Sequence, residues 1–97
     1  KHHCLIIPKR HIKDFFDLTE AELIACNSII SLIKNEILKK DKTVKGFNLG
    51  TNIGKVSGQS IFHCHFHLIP RRKKDVDNPQ GGVRSVIPNR QHYIRNK

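Results

Sequence analysis

The sequence lacks most of the features that would place a chain quickly. It has no Met and no Trp. No apolar run approaches the roughly 18 residues that a membrane helix needs. No G-x-x-x-x-G-K or G-x-G-x-x-G occurs, which removes the familiar phosphate and dinucleotide loops. Three Cys, at 4, 26 and 64, show no C-x-x-C spacing. They read as small apolar residues of a reducing, cytoplasmic compartment and not as a disulfide frame. Acidic residues are scarce: 8 Asp and Glu against 18 Lys and Arg, a net charge of +10. That balance favours phosphate-bearing partners or a solvated basic surface. There is no internal repeat, and 97 residues suffice for one small domain with one modest core. A strand begins almost at once, at Cys4-Leu5-Ile6-Ile7, so further elements are expected upstream, where any targeting segment would also lie.

What is present is concentrated in His63-Cys64-His65-Phe66-His67-Leu68-Ile69. Successive side chains of a strand point to opposite faces, so the three imidazoles would share one face. Cys64, Phe66 and Leu68 would share the other and pack on a core. A helix would scatter the imidazoles through about 200°. The pattern predicts a strand over Ile61 to Ile69 with one chemical and one structural face.

The remaining elements read in order. Cys4 to Ile7 is a short strand stopped by Pro8. Thr19 and Glu22 have capping-box spacing, and Leu18 with Leu23 suit a hydrophobic staple. A helix follows to about Lys39-Lys40. Leu23, Cys26, Ile30, Ile33 and Ile37 mark its buried face, widened by Ile24, Ile29, Leu32 and Leu38. Thr43 to Asn52 is a second strand around Val44, Phe47 and Leu49. The loop to Ser60, with Gly54 and Gly58, returns into the third strand, making the two antiparallel neighbours. It sets Asn52, Gln59 and Ser60 at the rim of the imidazole face. A basic tail follows, residues 73–97, behind a core of residues 1–72. The cationic run Arg71-Arg72-Lys73-Lys74 straddles that boundary and leads into loop composition and then an aperiodic stretch with Arg84, Arg90, His92 and Arg95.

Two chemistries suit the imidazole row. Three His with a water make a catalytic zinc site. Against it, same-face neighbours on a strand stand about 6.5–7 Å apart, and no nearby acidic residue or Cys completes the set. The second is nucleophilic attack on phosphorus, which needs one neutral imidazole with its free nitrogen aimed at the target. His65, with a partner on each side, is the natural nucleophile. Its neighbours would stabilise charge and protonate the leaving group.

These residues resemble the histidine triad (HIT) family of nucleotide hydrolases and transferases. The likeness extends through His3-Cys4-Leu5-Ile6-Ile7-Pro8-Lys9-Arg10-His11, Asp17-Leu18-Thr19-Glu20, Phe47-Asn48-x-Gly50-x-Asn52 and Ser57-Gly58-Gln59-Ser60. It covers about residues 1–72. It implies an α+β fold, an antiparallel sheet of about five strands in the full domain with a central helix, usually as a homodimer. It also implies attack by His65 on the α-phosphate of an adenosine nucleotide, of diadenosine polyphosphate or phosphoramidate type. A nucleotidyl-histidine then hydrolyses. By the same resemblance His63 and His67 support the nucleophile and His3 relays protons. Asn52, Gly58, Gln59 and Ser60 match α-phosphate and ribose-side contacts. No cofactor is required on this reading, and zinc is the less favoured alternative. The family's first helix and strand have no counterpart here, so base preference is not legible. Two alternatives stand beside the hydrolase: a nucleotide-binding module without turnover, and a DNA-end deadenylase. The latter branch adds a zinc finger, and no Cys follows Cys64, so nucleic acid is the less favoured partner.

Overall fold

A computed structural model of the chain describes residues 1–88. The elements are β1 (Cys4–Ile6), a 3-10 turn (Phe15–Asp17), α1 (Glu20–Lys40) and β2 (Val44–Gly50). A second 3-10 turn (Lys55–Ser57), β3 (Phe66–Arg72) and a last 3-10 turn (Gly82–Val86) complete the order. The three strands form one antiparallel sheet in the order β1-β3-β2. With the helix this is an α+β fold.

The alternation that predicted a strand does divide β3. Phe66, Leu68 and Pro70 are buried, whereas His67, Ile69 and Arg71 are half-buried. The buried side joins Ile6, Ile12, Cys26 and Cys64 in one core, with Ile30, Ile33 and Phe47 packed against it. The other side of the sheet carries no helix among the described residues. One strand therefore supplies both the core and the exposed chemistry.

β3 begins later than expected. The predicted span was Ile61 to Ile69; pairing starts at Phe66 and continues through Pro70 to Arg72. Residues 63–65 keep the in–out alternation without a partner strand, Ile61 and Phe62 are both exposed, and Cys64 is anchored instead by its N–H to the Ile12 carbonyl at 2.8 Å. Pro70 does not stop the strand because β1 pairs only with residues 66–68. Among the described residues β3 has no strand on that side beyond this point, the setting in which a strand accepts proline. β1 and β2 are each shorter than expected by one to three residues at their ends.

The helix starts as its sequence predicts. The Thr19 hydroxyl accepts from the Glu22 N–H, and the Glu22 carboxylate accepts from the Thr19 N–H, a complete capping box. Its buried face is narrower than expected. Cys26 and Ile37 are buried and Ile30 and Ile33 half-buried, while Leu23, Ile24, Ile29, Leu32 and Leu38 are exposed. A sheet of three strands touches only the central stripe of a helix.

Arg72 fastens the far end of β3. Its guanidinium donates to Asp41 at the helix C-cap (2.9 Å), to the Thr43 hydroxyl (3.2 Å) and to the Lys1 carbonyl (3.2 Å). Arg71 grips both oxygens of Asp75 and reaches the Asn48 side chain. Thr43 and Arg72 hold the Asp41 carboxyl well below the usual range, and Arg71 does the same for Asp75. Half of the cationic run is thus committed to internal pairs. Lys73 and Lys74 are exposed. The tail residues Arg90, His92 and Arg95 lie outside the described residues.

Arg10 clamps Glu22 through two hydrogen bonds, at 2.8 and 3.0 Å. That pair, with the Thr19 N–H, lowers the Glu22 carboxyl to about 2. A carboxylate whose folded pKa is depressed stabilises the fold above its unfolded value, about 4.3, and loses that contribution as pH falls. Glu22→Gln keeps the cap but cannot titrate. Its urea midpoint should fall less between pH 5 and pH 3 than that of the wild type. Equal falls would show that the Arg10 clamp contributes nothing in that window.

Candidate active site

His65 and His67 straddle the point where the sheet begins. His67 is the second residue of β3, facing Leu5 on one side and Gly50 on the other. Gly50 offers no side chain there, so the imidazole is open toward β2. His65 lies one residue before the strand, half-buried. The two rings sit edge to face with centroids 5.2 Å apart.

The hydrogen bonds fix the tautomers that matter. His65 Nδ1 lies 2.9 Å from the His63 carbonyl. A carbonyl only accepts, so Nδ1 carries the proton and Nε2 of the neutral ring holds the lone pair. His63 Nε2 lies 3.1 Å from the Pro8 carbonyl and by the same logic donates to it. His3 Nε2 and His67 Nδ1 are 3.0 Å apart, so one donates to the other. His3, His65 and His67 form one contiguous group, the His63 ring packs edge-on against His11 with centroids 4.7 Å apart, and each of the four is held by a different device. His63 is tied to the turn after β1, His65 to its own backbone, His67 to the ladder, and His3 to His67.

The loop residues divide. Gly58 adopts a left-handed conformation with φ 94° and Gly54 has φ 87°. A Cβ at either would meet nothing within 4 Å, so backbone torsion and not space requires glycine here. Asn52 is half-buried and Ser60 exposed, both free to face a ligand. Gln59 is different. It is 2% exposed. Its amide nitrogen donates to the Lys13 and Ile61 carbonyls, and its oxygen accepts from the Gly54 N–H. Both amide protons are spent, so Gln59 has none to offer a phosphate. It was expected at the rim; it is the internal tie of the loop.

Three participants had no signal in the sequence. The carbonyls of Pro8 and Ile12 are backbone atoms and leave no pattern. Thr51 donates its hydroxyl to the His65 carbonyl at 2.7 Å. It also lines an apolar groove of about 470 Å³ with Phe15, Phe16, Ile30, Ile53 and Phe66. Among the described residues, no group of three or more His, Cys, Asp or Glu is disposed to hold a metal ion.

The HIT domain model matches residues 1–74. The chain belongs to the HIT family. It is 42% identical over 76 residues to the HIT-like protein MJ0866 of Methanocaldococcus jannaschii, covering 77% of this chain and 57% of that protein. Arabidopsis thaliana adenylylsulfatase HINT3 is 41% identical over 73 residues, covering 75% of this chain and 36% of that one. The asymmetrical bis(5'-nucleosyl)-tetraphosphatase of Schizosaccharomyces pombe is 33% identical over 73 residues, covering 75% and 40%. The crystal structure of histidine triad nucleotide-binding protein ST2152 from Sulfolobus tokodaii superimposes with a TM-score of 0.69 at 36% identity, covering 74% and 48%. The chain thus spans between about a third and three fifths of the length of these relatives. Three strands of this HIT fold are described here, with the helix that covers them.

Burial, then the neighbouring His65 and His3, push the His67 pKa down from its ordinary value. In a titration followed by NMR, His67 should protonate at lower pH than a free imidazole. His3→Ala removes one like charge and part of the cover, so the His67 midpoint should rise. A midpoint unmoved by that substitution would mean that the 3.0 Å contact carries no electrostatic coupling.

Proposed function

We propose that the chain catalyses nucleotidyl transfer from an adenosine phosphate to water through His65. One observation carries the reading most directly: the Nδ1–H of His65 is committed to the His63 carbonyl, which leaves a lone pair on Nε2 beside His67. Nε2 attacks the α-phosphorus, a P–N bond forms, and the bond from phosphorus to the leaving group breaks. The leaving atom takes a proton from a neighbouring imidazole, with His67 and His3 the connected pair on that side. Water then attacks the same phosphorus and gives its proton to the imidazole that had protonated the leaving atom, the P–N bond breaks, and AMP is released with His65 and its neighbour restored. His63, Asn52, Ser60 and the amides near Gly58 would face the phosphate oxygens. No metal takes part in this scheme.

The substrate class draws its support from the two relatives named as hydrolases, an adenylylsulfatase and a bis(5'-nucleosyl)-tetraphosphatase. The apolar groove beside Thr51 suits a purine ring in size and lining. A homodimer and a reducing, cytoplasmic setting complete the proposal. Cys4, Cys26 and Cys64 are all unpaired thiols, and no described helix is long and apolar enough to cross a membrane.

The test uses diadenosine tetraphosphate, adenylyl sulfate and an adenosine phosphoramidate, each with a strong chelator present. Wild type should release AMP from at least one, and His65→Ala should lose about 10⁴-fold or more, as expected when a covalent nucleophile is removed. Rapid quench into denaturing alkali, in which the P–N bond of a nucleotidyl-histidine survives, should trap adenylate on His65. Equal rates in the two proteins would refute the role of His65. AMP that binds without any substrate turning over would instead make the chain a nucleotide-binding module.

A further inference from the structure

The nucleophile sits where the sheet no longer holds it. The β1 ladder ends at Ile6 opposite Phe66, and the β2 ladder ends at Gly50 opposite His67. His65 is beyond both. Its position then depends on contacts outside the ladder. The ring is tied to the His63 carbonyl, but that bond lies within the same segment and would travel with it. Cys64 is held through its N–H by Ile12 and by its own burial. The His65 backbone itself is tied to another element by the 2.7 Å hydrogen bond from the Thr51 hydroxyl to its carbonyl.

We infer that Thr51 is a positioning residue for His65: its hydroxyl replaces the missing ladder bond and fixes the direction from which Nε2 addresses the phosphate. Thr51 is the first residue after β2, so its backbone is placed by the sheet. Its β-branched side chain has few rotamers, which limits how far the hydroxyl can wander. The carbonyl that it satisfies is part-buried, so the bond is not readily exchanged for water. The assignment rests on the proposed role of His65, and Thr51 touches no reacting atom itself.

The test separates the hydroxyl from the shape. Thr51→Val keeps the volume and branching and removes the donor; Thr51→Ser keeps the donor. On the substrate that wild type turns over best, Thr51→Val should lower kcat by about 10- to 100-fold, the range that a displacement of order 1 Å produces. KM should change little, and Thr51→Ser should recover most of the rate. With carbonyl-labelled histidine, the His65 carbonyl resonance should move in Thr51→Val and stay near its wild-type position in Thr51→Ser. The ring nitrogens of His65 should report the same displacement. Wild-type kcat in Thr51→Val would overturn the inference. So would equal losses in both variants that track a common fall in unfolding midpoint. If wild type itself turns over nothing, the proposed reaction fails, and the resonances alone decide the positioning role: a His65 ring unmoved by Thr51→Val would refute it.

Discussion

Burial of alternate residues along one strand is the constraint on which the rest depends. Cys64, Phe66 and Leu68 go under α1, and the pleat then leaves no choice for the residues between them. A shift of one residue would drive three imidazoles into the core and expose its most buried side chains. The chemistry is therefore held by the same energy that holds the fold. Each imidazole needs only a short secondary tie, because the core has already set the face on which it emerges. Those ties come from three places: the turn at Pro8, the neighbouring strand through His3, and the end of β2 through Thr51.

His65, the proposed nucleophile, sits at a transition between regular and irregular backbone. A residue inside a ladder has its amide groups committed to neighbouring strands and its flanks crowded by their side chains. One residue earlier, the chain keeps the direction of the strand and loses the crowding. The loop from Gly54 to Ser60 returns the chain toward that point, the positive φ of Gly54 and Gly58 permitting the tight return. Gln59 makes the loop rigid from within by bridging Gly54, Lys13 and Ile61. A buried amide with both protons used is an anchor of this kind. It fixes the path of the backbone between Gly54 and Ile61.

Alternation and periodicity made the main lines legible. The in–out pattern of residues 63–68 depends only on local geometry, and it survives even where pairing has ceased. The capping box of Thr19 and Glu22 is equally local and forms as its spacing implies. What the pattern could not carry was whatever depends on a partner. β3 runs through Pro70 because β1 happens to stop short, a fact of register that the β3 sequence does not contain. The apolar width of α1 is real in composition, but burial of Ile24 or Leu32 requires a surface opposite them. Gln59 was misplaced for a related reason. A polar residue in a loop reads as a ligand contact until the carbonyls of Lys13 and Ile61 are found beside it. Thr51 had no signal at all, since its hydroxyl meets a main-chain atom 14 residues away.

Charge gives the imidazole row a direction of response. The chain carries +10, and the His cluster adds like charge to like if it protonates. Burial and the two neighbouring imidazoles already hold His67 toward its neutral form. A neutral row is what a nitrogen nucleophile requires, because a protonated ring has no lone pair to give. A bound phosphate reverses the balance. Its negative oxygens beside His63, His67 and His3 would favour the charged imidazole over the neutral one. On the proposed reaction, then, the free site keeps His65 nucleophilic, and the arrival of substrate raises the readiness of its neighbours to donate a proton. Acid and base are separated by the substrate's own charge, with no carboxylate needed in the row. In the proposed reaction a permanent carboxylate beside the imidazoles would work against this order, since it would hold a ring protonated before any substrate arrived.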